Sequence, residues 1–484
     1  MFDNVRAAAV WGGILVAALG LVACGGMHNG HTGEPADSDE ILSVTPFEGD
    51  WASARFSDLN PDPATVEVEL EAKVSTAEYL PGRRTPAWTF NGSVPGPLLE
   101  AKVGDQIIVR FRNLLPEPTT IHWHGVRLPA EMDGTEVMQA PVPSGGTFEY
   151  RFIAKGPGTF WYHPHVRSDV QVEKGLYGPI IFHDPSEPDL GPQRVIVLDD
   201  ALLAESGEPL VDGSMMEAMN GRQGNLLLAN GRARPVARLR PGQRERWRLV
   251  NAANARFFKL ALSSGPLTVI GSDQGLLDKP FEVDSLLVVP GERVELLVAG
   301  PGTGAGVQLV TQPYDRGHGL ADVEPLPVVE VRGEGEPITV TAVPETLRTA
   351  LPPIAPFSIS RTLVLSEDPM MEGHQMDPVF RINGEAFPNV SPLDAKLLSA
   401  ERWIVKNDSE MDHPFHLHGF SFQVLSYAGS TPHFRTWKDT VNIPAKQTVE
   451  LGVSFDGFPG RWLFHCHILE HAERGMVGEV RVAP

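Results

Sequence analysis

Ten of the 16 histidines fall into four short clusters, two toward each end of the chain. The clusters are His122-Trp123-His124, His163-Pro164-His165, His413-Pro414-Phe415-His416-Leu417-His418, and His465-Cys466-His467 with His471. Each lies in or beside a strand-like run, where alternate residues share one face, so both imidazoles of a His-X-His unit can reach one metal ion. Imidazole suits copper, zinc, iron and nickel, and a thiolate among imidazoles favours copper or zinc. One pair would be weak evidence, but four pairs together predict a metal centre.

One of only two cysteines, Cys466, stands between two of these histidines. In a strand the two histidines point to one side and the cysteine to the other, so the motif contacts two metal sites. A cysteine with two imidazoles and a weak axial methionine is the blue-copper electron-transfer site. Met476 and His471 follow Cys466 closely, and His413 is the spare histidine of the third cluster. The eight other histidines can hold three copper ions, two ligands for one ion and three for each of the others.

The composition predicts an all-β protein of about three domains. The chain has 484 residues, 42% of them hydrophobic, with 48 glycines and 43 prolines between short valine- and leucine-rich runs. Runs of this kind between glycine and proline indicate strands and turns. The formal charge of −21 makes nucleic acid an unsuitable partner.

A short pattern occurs three times at domain-sized spacing. It begins with an Asn-Gly turn and continues, after a gap, into an alternating strand that ends near an asparagine. The three turns are Asn91-Gly92, Asn230-Gly231 and Asn383-Gly384. We therefore predict three copies of one β-sandwich, joined at residues 184–193 and within the proline-rich residues 332–356. The first and third copies end in histidine motifs, whereas the matching stretch of the second, residues 306–315, has none, so we expect the middle copy to serve as a spacer.

The N-terminal segment has the pattern of an export signal. Arg6 precedes an apolar run, and the ending Leu21-Val22-Ala23-Cys24 resembles a bacterial lipobox. We expect residues 1–24 to be removed up to a lipid-bearing Cys24, and residues 25–60 to form a flexible tether. The mature protein would then be a membrane-anchored lipoprotein of the periplasm or cell envelope. The alternative is a plain secretory signal in which Cys24 has no role.

The order and spacing of the four histidine motifs resemble those of the multicopper oxidases, which include laccases and bacterial copper-efflux oxidases. The resemblance covers residue 61 to the C-terminus. It implies three cupredoxin-like Greek-key β-sandwich domains at residues 61–185, 192–335 and 357–484, the second without copper ligands. It also implies four copper ions, whose ligands match this sequence residue by residue. Type 1 copper is held by His413, Cys466, His471 and Met476. Type 2 copper is held by His122 and His416, and the two type 3 coppers by His124, His163 and His467 and by His165, His418 and His465.

Two acidic residues are candidate proton donors. Asp133 falls where such enzymes often keep an acid near the type 2 copper; the alternative is a turn aspartate before Gly134. Several bacterial relatives have a glutamate directly after the last type 1 histidine, but this chain has Ala472 there, followed by Glu473. Either Glu473 or a chain of water molecules would then carry protons.

The resemblance implies one-electron oxidation of a reducing substrate at type 1 copper, coupled to reduction of dioxygen to water. The substrate would be a phenol, an aromatic amine or a metal ion. We expect an exposed ligand edge, at His413 or His471, near the acidic Glu410 and Asp412, which favours phenols. The alternative is a cuprous-ion oxidase for copper tolerance, since Cu(I) prefers thioethers. The methionines that would serve it are Met215, Met216 and Met219, and Met370, Met371 and Met376 near His374. A non-catalytic copper buffer is disfavoured because no ligand position is missing.

Overall fold

A computed structural model of the chain describes residues 41–484, apart from 205, 211–213, 320, 321, 323, 341, 355, 373 and 374. Only the backbone is described for residues 369–372 and 375–377. The predicted signal, Cys24 and the first part of the tether lie outside the described residues, as do the side chains of Met370, Met371, His374 and Met376. Within the described part, no helix has the length and apolar character needed to cross a bilayer.

The first sandwich consists of β1 to β8, with the short helix α1. The strands are β1 (Thr65–Leu80), β2 (Arg83–Phe90), β3 (Leu99–Lys102), β4 (Gln106–Leu114), β5 (His122–His124), β6 (Thr147–Ile153), β7 (Gly158–His163) and β8 (Gly178–His183). A 3-10 turn covers Ala130–Met132, and α1 covers Ser168–Glu173. One sheet has the order β2-β1-β4-β6 and the other β3-β8-β7-β5.

The second sandwich consists of β9 to β20 and helix α2 (Met215–Asn220). The strands are β9 (Gln193–Ala201), β10 (Leu226–Ala229), β11 (Arg232–Ala233), β12 (Val236–Leu239), β13 (Arg244–Asn251), β14 (Phe258–Leu262), β15 (Leu267–Ser272), β16 (Gly275–Val283), β17 (Leu286–Val288), β18 (Arg293–Ala299), β19 (Gly306–Gln312) and β20 (Leu326–Gly333). Its sheets have the orders β11-β10-β9-β13-β18-β15-β16 and β12-β20-β19-β14-β17.

The third sandwich consists of β21 to β30 and helix α3 (Leu469–Glu473). The strands are β21 (Ile359–Glu372), β22 (Gln375–Ile382), β23 (Leu393–Lys396), β24 (Ala400–Asn407), β25 (His413–Leu417), β26 (Ser421–Tyr427), β27 (Thr440–Ile443), β28 (Thr448–Ser454), β29 (Gly460–Cys466) and β30 (Val477–Ala483). Its sheets have the orders β22-β21-β24-β28-β26 and β23-β30-β29-β25-β27. This all-β, three-sandwich architecture is the predicted fold.

The threefold repeat is visible in single side chains. Asn91, Asn230 and Asn383 all have positive φ, at 53°, 51° and 55°, as the predicted Asn-Gly turns require. The strands β4, β13 and β24 each carry an asparagine whose amide donates to two backbone carbonyls and whose carbonyl accepts from the amide two residues on. These are Asn113, Asn251 and Asn407. β19 of the second sandwich also occupies the sheet position of β7 and β29, although it carries no histidine.

The tether prediction is wrong for residues 41–60, which pack on the domains. Trp51 is only 5% exposed, and its indole donates to Val236 O at 3.0 Å within the core of the second sandwich. Phe47 forms a β-bridge with Pro235, and Arg55 forms one with Leu98. These apolar and aromatic side chains bury surface that a solvated tether would leave exposed.

Candidate metal centres

Three ligand atoms converge at the start of β25 and the end of β29. Cys466 Sγ lies 3.5 Å from His413 Nδ1 and 3.8 Å from His471 Nδ1, and the two ring nitrogens are 3.3 Å apart. All three side chains are fully buried. The strands β25 and β29 pair Phe415 with Cys466, which brings His413 close to Cys466. Helix α3 follows β29 and carries His471, which lies beside both. A thiol and two imidazoles in this arrangement form the ligand set of a blue-copper site.

Contacts around this trio fix the orientation of both rings. His413 Nε2 lies 2.8 Å from Ser409 Oγ, and His471 Nε2 lies 3.0 Å from Met219 O. Because a carbonyl can only accept, His471 Nε2 carries the proton and its Nδ1 presents a lone pair toward Cys466. Phe380 stacks on the His471 ring with centroids 3.9 Å apart. Met476 is also fully buried, and its backbone bonds both Cys466 and His471, which places it beside the trio.

The other eight histidines meet between the first and third sandwiches. β5 pairs with β7, which sets His122 opposite His163, and β25 pairs with β29, which sets His416 opposite His465. The histidines of β5 then face those of β25 and the residue that follows it. The rings of His122 and His418 have centroids 4.0 Å apart, and the rings of His124 and His416 stack with centroids 3.8 Å apart. The structure therefore brings together ligands that are about 300 residues apart in the chain, as the motifs predict.

The hydrogen bonds of these rings leave lone pairs directed inward. Nδ1 of His122, His163, His416 and His465 donates to the carbonyls of Asp133, Pro164, Asp439 and Cys466. Nε2 of the first three rings is buried without a partner. Buried polar atoms are nearly always paired, and metal-bound imidazoles typically donate their other N–H to a carbonyl or carboxylate. These residues therefore fit bound metal ions.

The Nε2 atoms of His165, His418 and His465 lie close together, which is a second indication that these residues fit a bound metal ion. His418 Nδ1 lies 2.9 Å from Asp133 Oδ2, so both His418 and His465 have their protons on Nδ1. Their Nε2 atoms nevertheless lie 2.9 Å apart, and His165 Nε2 is 3.5 Å from that of His465. Two lone pairs at this distance repel unless a cation lies between them. His124, His163 and His467 form a comparable group, with ring centroids 4.9, 5.7 and 5.8 Å apart.

Burial keeps the imidazoles neutral, as metal ligands must be. Desolvation, followed by the charges of neighbouring histidines, lowers the pKa of His163, His418, His465 and His467 well below the usual value. It also lowers the pKa of His165 and of His413 to about 3. Burial likewise raises the pKa of the Cys466 thiol, so its thiolate form requires a bound cation.

The predicted acid Asp133 lies among the histidines and is fully buried. It contacts two rings at once, since Oδ1 is 3.4 Å from His122 Nδ1 and Oδ2 is 2.9 Å from His418 Nδ1. Oδ1 has no hydrogen-bond partner. Gly134 has φ +78°, and a Cβ there would collide with the carbonyl of Ile121, so this turn requires glycine.

Glu473 lies on a small cavity of about 80 Å³ that reaches the histidines. The cavity is lined by His163, His165 and His465 together with Ala472 and Glu473. Glu473 Oε1 accepts from the backbone amide and the hydroxyl of Ser168, at 2.6 and 2.7 Å, so the carboxylate is held at the cavity wall. A glutamate was expected at position 472, where this chain has alanine. The carboxylate of Glu473, one position later, lies on the cavity that His163, His165 and His465 line.

Sequence reasoning missed Asp439 and Arg293. Asp439 Oδ1 lies 3.2 Å from His124 Nε2, and its carbonyl accepts from His416. Arg293 of the second sandwich donates to both carboxylate oxygens of Asp439, at 2.6 and 2.5 Å. Neither residue belongs to a spaced motif, so no signal in a single sequence points to them. The middle domain therefore supports the site as well as separating its neighbours.

The expectation of an exposed ligand edge is wrong. His413 and His471 are both fully buried, and helix α2 lies over His471 with the carbonyl of Met219 on its Nε2. The two acidic residues expected beside this edge also form contacts with other residues. Glu410 is paired with Lys446 at 2.8 Å, and Asp412 is buried and accepts from Tyr314 and Asn442.

Known proteins resemble this chain over its whole described length. Residues 71–187, 198–304 and 361–484 match three family models, each described as multicopper oxidase. The multicopper oxidase MmcO of Mycobacterium tuberculosis is 32% identical over 502 aligned residues, which cover 96% of this chain and 94% of that protein.

Two solved structures show the same architecture. A multicopper oxidase from Campylobacter jejuni, described as a metallo-oxidase, has a TM-score of 0.82 at 29% identity and covers 92% of this chain and 97% of its own. A laccase-like multicopper oxidase from Ochrobactrum sp. has a TM-score of 0.79 at 28% identity, with 90% and 100% covered. This chain belongs to the multicopper oxidase family, whose members are oxidoreductases that bind four copper ions and use dioxygen as electron acceptor.

Proposed function

We propose that the electron donor of this oxidase is the cuprous ion and not a bulky phenol or aromatic amine. The observation that carries the proposal is the cover over His471: α2 lies on the ring, and its Met219 carbonyl occupies the Nε2 edge. A phenol has to approach such an edge closely, and here the helix excludes it. The overall reaction oxidises four Cu(I) to four Cu(II) while one dioxygen and four protons become two water molecules.

The covering helix carries the ligands that Cu(I) prefers. Met215 and Met219 are four residues apart and share one helix face, with Met216 beside them. Met215 and Met216 are 40% and 60% exposed, an unusual setting for large apolar side chains, while Met219 is half-buried. Thioether sulfur binds Cu(I) selectively. An ion captured there would be held directly over His471. The description of one structural relative as a metallo-oxidase agrees with this proposal.

We assign the four coppers to the ligands that the motifs predict. Type 1 copper takes His413, Cys466, His471 and Met476, and type 2 takes His122 and His416. The type 3 pair takes His124, His163 and His467, and His165, His418 and His465. When bound, these ions accept electrons singly at type 1 and deliver four to dioxygen at the other three. The peptide bonds of His465-Cys466-His467 supply a short covalent route between the two centres.

We further propose that Asp133 and Glu473 handle the protons. Asp133 holds two ligand rings and keeps one carboxylate oxygen free for water. Glu473 stands on the cavity that reaches His163, His165 and His465, which offers water a path to them. General acids of this kind typically contribute about 10²- to 10⁴-fold to a rate.

Export and lipid attachment of Cys24 complete the proposal. A copper-tolerance enzyme outside the cytoplasm would meet Cu(I) before it enters the cell. A diacylated or triacylated cysteine supplies the two or more chains that stable anchoring requires.

The substrate proposal predicts that Met215→Leu, Met216→Leu and Met219→Leu together lower kcat/KM for Cu(I) at least tenfold. Leucine keeps the volume and helix propensity but removes the thioether. Oxygen consumption is measured with a stabilised Cu(I) complex and separately with a phenol, each with and without added Cu(II). Met138→Leu, at a half-buried methionine in the first sandwich, is the matched control. Rapid phenol oxidation by the unmodified enzyme without Cu(II), with Cu(I) turnover unaffected by the triple variant, contradicts the proposal.

The proton proposal predicts that Glu473→Gln and Asp133→Asn each slow steady-state turnover about tenfold or more. Anaerobic bleaching of the blue band by reductant, which needs no proton delivery to dioxygen, keeps its rate. The exposed Glu131→Gln is the control. Wild-type turnover in both variants would show that other groups carry the protons.

The anchoring proposal predicts that Cys24→Ala moves the protein from the membrane fraction to the soluble extracytoplasmic fraction. Fractionation and mass measurement of the N-terminal peptide check it. An unmodified Cys24, or a variant as membrane-bound as the parent, means that the segment is a plain secretory signal.

A further inference from the structure

Arg316 is a fully buried arginine at the contact between the second sandwich and the type 1 ligands. It follows β19, and its carbonyl accepts from the amide of Asp412 at 2.7 Å. The next residue, Gly317, forms a β-bridge with Met411. Because Asp412 directly precedes His413, the backbone of Arg316 is fixed beside a type 1 ligand. The side chain is 1% exposed.

The guanidinium has few close partners, and its carbon lies 5.9 Å from the centroid of the Phe257 ring. Its one hydrogen bond runs from Nη2 to Gly221 O at 3.4 Å, while Nε and Nη1 have none. Among the described residues, no carboxylate oxygen lies within 4.0 Å of it. The buried arginines Arg256 and Arg293 differ, since each forms close pairs with aspartates. Burying a charge without a close partner opposes folding, and strongly perturbed ionisable groups cluster at functional sites.

Gly221, the hydrogen-bond partner of the guanidinium, lies next to a residue that contacts the Cys466 thiol. Gly221 directly follows α2, which covers His471, and a Cβ at Gly221 would collide with Ile468 Cγ2. The amide of Ile468 in turn donates to Cys466 Sγ at 3.4 Å. Arg316 is thus in contact with the layer of residues that surrounds the thiolate.

Two chains of contacts lead from Arg316 to the type 1 ligands, one through Gly221 and Ile468 to Cys466 and one through Asp412 to His413. The carboxylate of Asp412 accepts from Tyr314, Asn442 and the Ala445 amide and forms no ion pair with Arg316. The carboxylate of Glu470 lies beside Gly221 but, like that of Asp412, forms no salt bridge with the guanidinium.

We propose that Arg316 raises the reduction potential of the type 1 centre by placing a buried positive charge, which has no salt-bridge partner among the described residues, beside it. A thiolate and two neutral imidazoles give a site charge of +1 with Cu(II) and zero with Cu(I). A neighbouring cation in a dry environment disfavours the more positive state, so the reduced form is stabilised. The inference rests on the proposed type 1 ligands.

The test compares Arg316→Met with Arg316→Lys in the copper-loaded protein. The type 1 potential is measured by redox titration of the blue absorbance. We expect Arg316→Met to lower the preference for Cu(I) over Cu(II) at least tenfold, which is 59 mV for one electron. Arg316→Lys keeps the charge, so it is expected to retain most of the preference for Cu(I) over Cu(II). Arg474→Met is the control, since Arg474 also lies near His471 but is partly exposed and screened by water.

Thermal unfolding separates this role from a structural one. Replacing an unpaired buried cation by an apolar side chain of similar length is neutral or stabilising, so we expect Arg316→Met to unfold no earlier than the parent. A blue, folded Arg316→Met protein with an unchanged potential overturns the proposal. A shift of equal size in Arg316→Lys also overturns the proposal. Loss of the fold in Arg316→Met, with both the fold and the potential retained in Arg316→Lys, overturns it as well. An unmodified protein without a blue band instead overturns the ligand assignment itself.

Discussion

A buried ion pair between Arg293 and Asp439 joins the three domains at the metal centre. Arg293, from the second sandwich, donates to both oxygens of Asp439 in the third, and its Nε donates to Thr159 O in the first. Burial would raise the pKa of Asp439, but the Arg293 charge holds it well below its usual value. The carboxylate therefore stays ionised, and it contacts His124 while its own carbonyl orients His416. Breaking a buried pair of this kind typically costs about 3–5 kcal/mol.

This constraint explains why a domain without ligands is part of the enzyme. The eight histidines come from two sandwiches, and neither sandwich alone holds a complete set. Domain 2 fixes their separation through Arg293 and through Gly291, where a Cβ would lie 2.7 Å from His467 and 3.0 Å from His124. It also supplies α2, whose Met219 carbonyl contacts His471, and Arg316, whose carbonyl accepts from the amide of Asp412 next to His413. A domain without histidine motifs thus contributes residues that position and cover the candidate ligands of its neighbours.

The sequence predicted those features that short spacing encodes. Alternation along a strand placed Cys466 on one side and His465 and His467 on the other, and the Asn-Gly turns marked the three sandwiches. Features that depend on contacts between distant segments were not predictable. Asp439, Arg293 and Arg316 lie in no motif, and their roles arise only when the domains pack. The cover on His471 was missed for the same reason: α2 is more than 250 residues from it, and its methionines alone do not show which surface they occupy. The packing of Trp51 likewise depends on a distant strand.

The most direct test of this account is the copper content of the double variant Arg293→Met, Asp439→Asn. Removing both charges avoids an unpaired buried ion, so the fold is expected to persist. Residue 439 is then no longer held by Arg293, so its side-chain contact with His124 and its carbonyl contact with His416 are weakened. Copper is counted per chain, and paramagnetic resonance distinguishes type 1 from type 2. The account predicts that the blue type 1 centre is retained and the other three coppers are lost. A folded variant that still binds four coppers with unchanged spectra would contradict it.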